Sequence, residues 1–339
     1  MIAIFFSVMA YATPGCMTSE CHSSLKSAAF VHSPLKAAGS CVICHNVKSE
    51  GVGHPKLVPI DLPNINSVCL KCHDNLMTAT GSHGSIHPAI EKNTCLGCHE
   101  PHSSEFPHLT KENPKFELCL NCHKDMAEKQ KSATHHKIDK MENGCLTCHS
   151  PHFSANQKLL IKSNPAELCM TCHEKEIHVG ERVIASMSGF SSGHGHAPFV
   201  KGECFKCHQI HGSTVPALLQ KTYSPNLYDN FSTDNFELCF QCHKKTLATA
   251  QTTTTETSFR NGDLNLHVLH LANQKKQRTC RSCHDVHSTV QPKLIRQTFT
   301  YKDFQLPIQF TQMDNGGKCA TACHHDMVYN RTKAFKNEH

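Results

Sequence analysis

The sequence predicts a mostly irregular, extended chain with short α-helices and almost no β-sheet. It is built of repeated two-site modules around a core that side chains do not fill. Three observations predict this. The 339 residues include 22 cysteines and 29 histidines, a density that marks a framework of some kind. Apolar residues make up 38% and aromatic residues 6%, with no tryptophan, which is sparse for a chain long enough to bury a large core. A cysteine–histidine pattern also recurs from end to end, and internal repetition decides architecture before any local reading does.

Taken in order, the chain opens with "MIAIFFSVMAYATPG". Ile2 to Ala10 is a short apolar run, and Ala10-Tyr11-Ala12 has the form of a cleavage site, so residues 1–12 read as the remnant of a secretory signal peptide without its basic region. The competing reading is a buried N-terminal strand. The run is too short to span a bilayer, and no later segment is apolar enough to do so. The expectation is an exported protein of the periplasm, outer membrane or extracellular space, with no transmembrane helix.

Cys-x-x-Cys-His then occurs nine times. The copies are Cys41, Cys44, His45; Cys69, Cys72, His73; Cys95, Cys98, His99; Cys119, Cys122, His123; Cys145, Cys148, His149; Cys169, Cys172, His173; Cys204, Cys207, His208; Cys239, Cys242, His243; and Cys280, Cys283, His284. Two stretched variants bracket them: Cys16, Cys21, His22 and Cys319, Cys323, His324. Eleven sites use all 22 cysteines.

The copies alternate. One type carries a second histidine three residues on, as in "CLGCHEPH" (95–102) and "CFKCHQIH" (204–211). The other follows Leu or Val, as in "ELCLNCH" (117–123). Together they form five two-site modules at 28–78, 79–132, 133–190, 191–260 and 261–339, after a single-site segment at 13–27. Ser/Thr/Asn-rich connectors such as "AQTTTTETS" lengthen the later modules. Asn113-Pro114 with Glu117, and Asn164-Pro165 with Glu167, have the form of helix starts ahead of second sites.

Cys-x-x-Cys-His is the attachment signature of c-type haem. Two thiols become thioethers to the haem vinyls, and the adjacent histidine lies under the iron. Zinc ribbons do not need a histidine after every second cysteine, a redox motif appears once, and disulfides leave the histidines unexplained. The expected cofactors are eleven covalent haems, with a stack of haems as the core. At about 31 residues per haem, the chain cannot wrap each one separately.

Each iron needs a sixth ligand. His32, His87, His136, His196 and His270 stand 8–10 residues before the first cysteine of a module. Their neighbours His83, His135, His194 and His267 compete for the same roles. His54, His102, His152, His211 and His287 follow the first sites. His99 and His102 are three apart and on a helix would share one side, so His102 must reach a neighbouring haem. The same holds for His152, His211 and His287. His54 lies nine residues beyond His45, past Gly51 and Gly53, and is free of that restriction. His83 is the candidate for the eleventh distal ligand, with His108, His178 and His325 as rivals.

Two nitrogen ligands lower the potential relative to Met/His ligation. An iron with both axial positions filled has no open position for substrate, which catalytic metal sites generally keep. The expectation is electron transfer and no enzyme activity. Two propionates per haem and about one positive charge per ferric core turn the formal +6 into about −5 oxidised and about −16 reduced. The basic pI therefore carries no argument for nucleic acid.

The alternating "CHxPH … ELCxxCH" modules resemble the doubled-CXXCH multihaem c-type cytochromes over residues 16–325. In length and haem density the chain is most similar to the decahaem members that sit in outer-membrane porins, and "GHAPFVKGECFKCHQIHGS" (195–213) is close to their module style. The resemblance implies a bis-histidine haem chain passing electrons across the outer membrane, with a porin and other redox cytochromes as partners. The departures are an eleventh site, the two wide spacings, and "CHNVKSEGVGH" in the first module. Three readings stand: conduit or periplasmic carrier, self-associating extracellular haem wire, and multihaem reductase. The last would need a five-coordinate haem, usually with a changed proximal residue, and all eleven proximal positions are histidine.

Overall fold

The computed structural model describes residues 22–37, 40–48, 56–58, 60, 64–78, 84–92, 95–180, 182–188, 193–272 and 276–337. Cys16, Cys21, His54 and His83 lie outside the described residues. Two compact units are present: one of 1–127 with 137–163, the other of 128–136 with 164–339.

The backbone is irregular, as its composition predicts. Among the described residues the longest helix is Pro165–His173, nine residues. Asn164 Oδ1 accepts from Ala166 N at 2.9 Å, Pro165 sits in the first turn and Glu167 near the positive helix end. The sister segment differs. Asn113 Oδ1 accepts from Lys115 N at 3.1 Å, but the helix starts only at Glu117, because Phe116 at φ −150°, ψ −62° interrupts the turn. At the first sites of the second and third modules a proline follows the single turn. Pro101 and Pro151 bias Glu100 and Ser150 away from helical geometry.

Strands are mostly pairs of two residues. Within the first unit Phe30–Val31 pairs with Ser103–Ser104, and Ser85–Ile86 with Phe153–Ser154. Within the second, His194–Gly195 pairs with Ser288–Thr289. Each pair ties the residues just before a module's upstream histidine to those just after the next module's downstream histidine. The backbone bonds His32 N to His102 O, His87 N to His152 O and His196 N to His287 O, at 2.8–2.9 Å, continue these pairings.

The exception is a four-stranded antiparallel meander of Thr298–Tyr301, Phe304–Met313, Gly316–Thr321 and His324–Asn330. It carries the only cluster of buried apolar side chains described, Leu227, Phe299 and Ile308, with Tyr228, Ile295 and Leu306 packed on it. Elsewhere in that unit Phe236, Val268 and Leu271 are buried. In the first unit the buried apolar residues described are Leu35 and Ile65 alone, which does not amount to a side-chain core.

One glycine positions an attachment site. Gly144 has φ +54°, and a Cβ there would run into the Lys115 carbonyl. Without a Cβ, that carbonyl can accept from Cys145 N at 2.8 Å. Among the described residues no helix is long and apolar enough to cross a membrane.

Candidate haem-binding sites

At the regular sites Cys-x-x-Cys-His closes one helical turn. The histidine N–H donates to the first cysteine's carbonyl at 2.9–3.1 Å at His45, His73, His99, His123, His149, His208, His243 and His284. At His173 the turn lies inside Pro165–His173. One turn puts the first thiol and the imidazole on one face with the second thiol beside them. No disulfide joins any of the twenty described cysteines. Cys280–Cys283 is anchored further: Thr279 and Ser282 form a capping box, and their hydroxyls donate to Asn226 O at 2.5 Å and Leu227 O at 2.7 Å.

The stretched C-terminal site is built differently. Cys319 lies on a strand opposite Phe310 and Met327, Cys323 lies in the hairpin turn, and His324 opens the next strand opposite Thr321. Here a hairpin brings the two cysteines and the histidine together instead of a helical turn.

The histidines meet in pairs. Ring centres lie 6.0–6.3 Å apart for His32–His73, His45–His102, His87–His123, His99–His152, His136–His173, His196–His243 and His208–His287. A metal–imidazole nitrogen bond is about 2.0–2.1 Å and each ring centre lies roughly 1 Å behind its nitrogen, so two rings on one iron have centres about 6 Å apart. The spacing fits an iron between each pair. His102 faces His45 rather than His99, and His152 and His287 likewise face the preceding module. His32, His87, His136 and His196 each face the second attachment site of their own module, 41 residues on for His32 and 36 on for His87.

Where the sequence left neighbours competing, His136 and His196 take the ring-pair positions. The Nδ1 of His135 lies 3.0 Å from Ser132 O. His178 Nε2 meets Glu176 Oε1 at 2.9 Å, and the carbonyls of His108 and His325 face His99 Nδ1 and His324 Nδ1.

Backbone carbonyls hold many of these rings by Nδ1. They include Pro101 O for His32, His108 O for His99, Ile210 O for His136, Lys158 O for His149, Ala217 O for His208 and Lys293 O for His284, at 2.9–3.0 Å. With its proton on Nδ1, an imidazole offers the Nε2 lone pair outward, the form a metal ligand needs. Burial, then neighbouring imidazoles, push His87, His102, His136, His152 and His196 below the usual histidine range. These rings are therefore neutral and able to coordinate at neutral pH.

At the C-terminal end, His267 and His270 sit three apart on the helix Leu266–Leu271. The buried Asn265 caps it, accepting from His267 N at 3.0 Å and donating to Leu247 O and Ala250 O at 3.0 and 2.9 Å. Burial first, then the electrostatic influence of His284, pushes His267 down to about 3. His270 is also buried and lowered, with His324 among its electrostatic neighbours.

Thiols of successive sites adjoin. Cys69 hydrogen-bonds Cys95, Cys119 meets Cys145, Cys204 meets Cys169, and Cys239 meets Cys280. The bond holds Cys119 and Cys204 at about 7 and pushes Cys145 and Cys280 up. Cys98 neighbours Cys119 and Cys122, Cys207 neighbours Cys239 and Cys242, and Cys283 neighbours Cys323. Within each unit, sites that follow in sequence are neighbours in space.

Sequence reasoning missed one recurrent feature. After each of four first-site histidines, a pair of residues adopts left-handed backbone: His108–Leu109, Lys158–Leu159, Ala217–Leu218 and Lys293–Leu294. A hydroxyl residue five positions after that histidine and a leucine ten after it, seen at all four, would have flagged it.

A family model described as the doubled CXXCH motif matches residues 32–78, 87–128, 135–178 and 196–248, more than half of the chain. Each matched segment runs from an upstream histidine to just past a second attachment site, and so contains one complete ring pair of that kind. No curated protein matches the sequence.

Proposed function

Because the chain belongs to the doubled-CXXCH family of multihaem c-type cytochromes, which bind haem covalently and transfer electrons, we propose that it is an undecahaem electron conductor. In this reading eleven low-potential haems, each with two axial histidines, pass electrons along the chain. The protein serves as a periplasmic or outer-membrane carrier for extracellular electron transfer.

One observation carries the proposal: seven histidine pairs whose ring centres lie 6.0–6.3 Å apart. Each bound haem supplies a one-electron iron couple. The chain's part is to fill both axial positions with imidazole, which favours low potential and leaves no position for substrate. The protein is on this reading not an enzyme. The adjoining thiols of successive sites support a path that follows the sequence.

The ligand set is completed at the C-terminal end. The electrostatic influence of His324 on His270 supports His270 as the distal ligand there, matching the upstream histidines of earlier modules. His267, on which His284 acts electrostatically, is the better eleventh ligand than His83. The apolar run Ile2 to Ala10 and the Ala-Tyr-Ala sequence support export. The proposed partners are redox cytochromes and an outer-membrane porin, with no role for nucleic acid.

Pyridine haemochrome assay should give eleven haems per chain, and nine or fewer would remove both stretched sites from the account. Low-temperature EPR of the oxidised protein should show low-spin signals only. A substantial high-spin signal would favour the reductase reading. Cell fractionation with imaging separates co-purification with a porin from filament formation.

A further inference from the structure

Four segments of the chain share one hydrogen-bond pattern that haem attachment alone does not demand. They follow the first-site histidines His99, His149, His208 and His284. Nine residues after each histidine the backbone turns left-handed for two residues, with φ between 56° and 60° at all eight positions, and none of the eight is glycine. L-residues avoid that region because Cβ crowds the backbone. Four repetitions of one unfavourable conformation at one distance from a ligand point to a use for it.

The rest of each segment holds the turn in place. The N–H after the histidine donates to the leucine carbonyl: Glu100 to Leu109, Ser150 to Leu159, Gln209 to Leu218 and Asp285 to Leu294, at 2.6–2.9 Å. Two residues past the leucine, an N–H donates to the second cysteine's carbonyl: Lys111 to Cys98, Ile161 to Cys148, Gln220 to Cys207 and Arg296 to Cys283, at 2.8–3.1 Å. The hydroxyls of Ser104, Ser154, Ser213 and Thr289 close the ring onto Thr110, Leu160, Leu219 and Ile295 carbonyls. What this bracing delivers is the same each time. The carbonyl of the first left-handed residue lies 3.0 Å from the histidine's Nδ1.

We propose that this left-handed turn is a positioning device that fixes the tautomer of the first-site proximal histidine and lowers the potential of its iron. The proposal rests on the electron-conductor reading above. Donation from Nδ1 to a carbonyl makes the imidazole a more basic ligand, and a more basic ligand favours ferric iron. At second sites the equivalent lock sits on the upstream histidine, as at His32 with Pro101 O and His136 with Ile210 O. Three of these segments also carry a histidine that faces the preceding module: His102 against His45, His152 against His99 and His287 against His208.

The test compares residues that tolerate left-handed backbone with residues that do not. Lys158→Val with Ala217→Val should force both turns out of the left-handed region, since β-branched residues adopt it least. Lys158→Gly with Ala217→Gly should retain it. Redox titration of the full-length holoprotein, followed in the haem α-band, should show a fraction equal to two haems moving to higher potential in the valine pair. The glycine pair should overlay wild type. An unmoved titration in a valine pair with full haem content overturns the proposal. So does a glycine pair that shifts as far as the valine pair. If the valine pair fails to mature, Ser154→Ala with Ser213→Ala loosens the same turns more gently. That pair should give a smaller shift in the same direction, and no shift overturns the proposal. Wild-type haem content is read on the same samples, so failure of the conductor reading shows as missing haem rather than as an unmoved titration.

Discussion

The site at Cys95–His99 and the site at Cys319–His324 use the same two residue types, cysteine and histidine, on opposite kinds of backbone. The first is one helical turn in a unit with almost no buried apolar side chains. The second straddles a hairpin in a sheet that packs Phe299 and Ile308 against Leu227. The difference teaches what holds each region. Where modules follow one another within a unit, a site gains its neighbours from the next module. The C-terminal site lies instead in a four-stranded sheet backed by a small apolar cluster.

The largest expected effect breaks this comparison outright. A chain produced without haem attachment should lose the first unit and retain residues 298–330, because only the latter have a side-chain core. Limited proteolysis with mass spectrometry reads this, and equal protection of both regions would discard the distinction. Next, His102→Ala should create one high-spin haem per chain by EPR. Adding Cys41→Ala and Cys44→Ala should remove that signal, since His102 faces His45. His267→Ala should do the same at the Cys280 site, while His83→Ala should leave the spectrum unchanged.

A smaller effect sharpens the account of the C-terminal region. Phe236 is fully buried, and Phe236→Ala should cost about 3–5 kcal/mol of stability, read by thermal or denaturant unfolding of the holoprotein. Smallest of all, Lys318→Ala removes the exposed cross-strand pair with Asp326 beside Cys319. It should change stability by less than about 1 kcal/mol and leave haem content untouched.

Much of the site is legible in one dimension because haem attachment is local chemistry. Two thiols and an imidazole must reach one porphyrin, so their spacing is written in five consecutive residues. His102 does leave its own iron for His45, but not for the helical reason, since the helix ends at Cys98 and His102 lies beyond Pro101. Pairing of His32 with His73 was not legible in this way. A second attachment site, Cys41–His45, lies between them, and nothing in spacing alone says which of the two His32 should face. The C-terminal meander did leave signals, in the alternation of "FQLPIQFTQ" and the polar "DNGG" at a turn.

By itself, then, the sequence determined the cofactor class, its attachment residues, the modular repeat and the shortage of side-chain core, because each follows from residue type and short-range spacing. Only the tertiary structure decided which histidines face each other and that a hairpin carries the last site. It also decided that a left-handed turn offers a carbonyl to each first-site ligand from His99 to His284. These features depend on contacts between residues far apart in the chain or on backbone angles, and single-residue preferences do not set either.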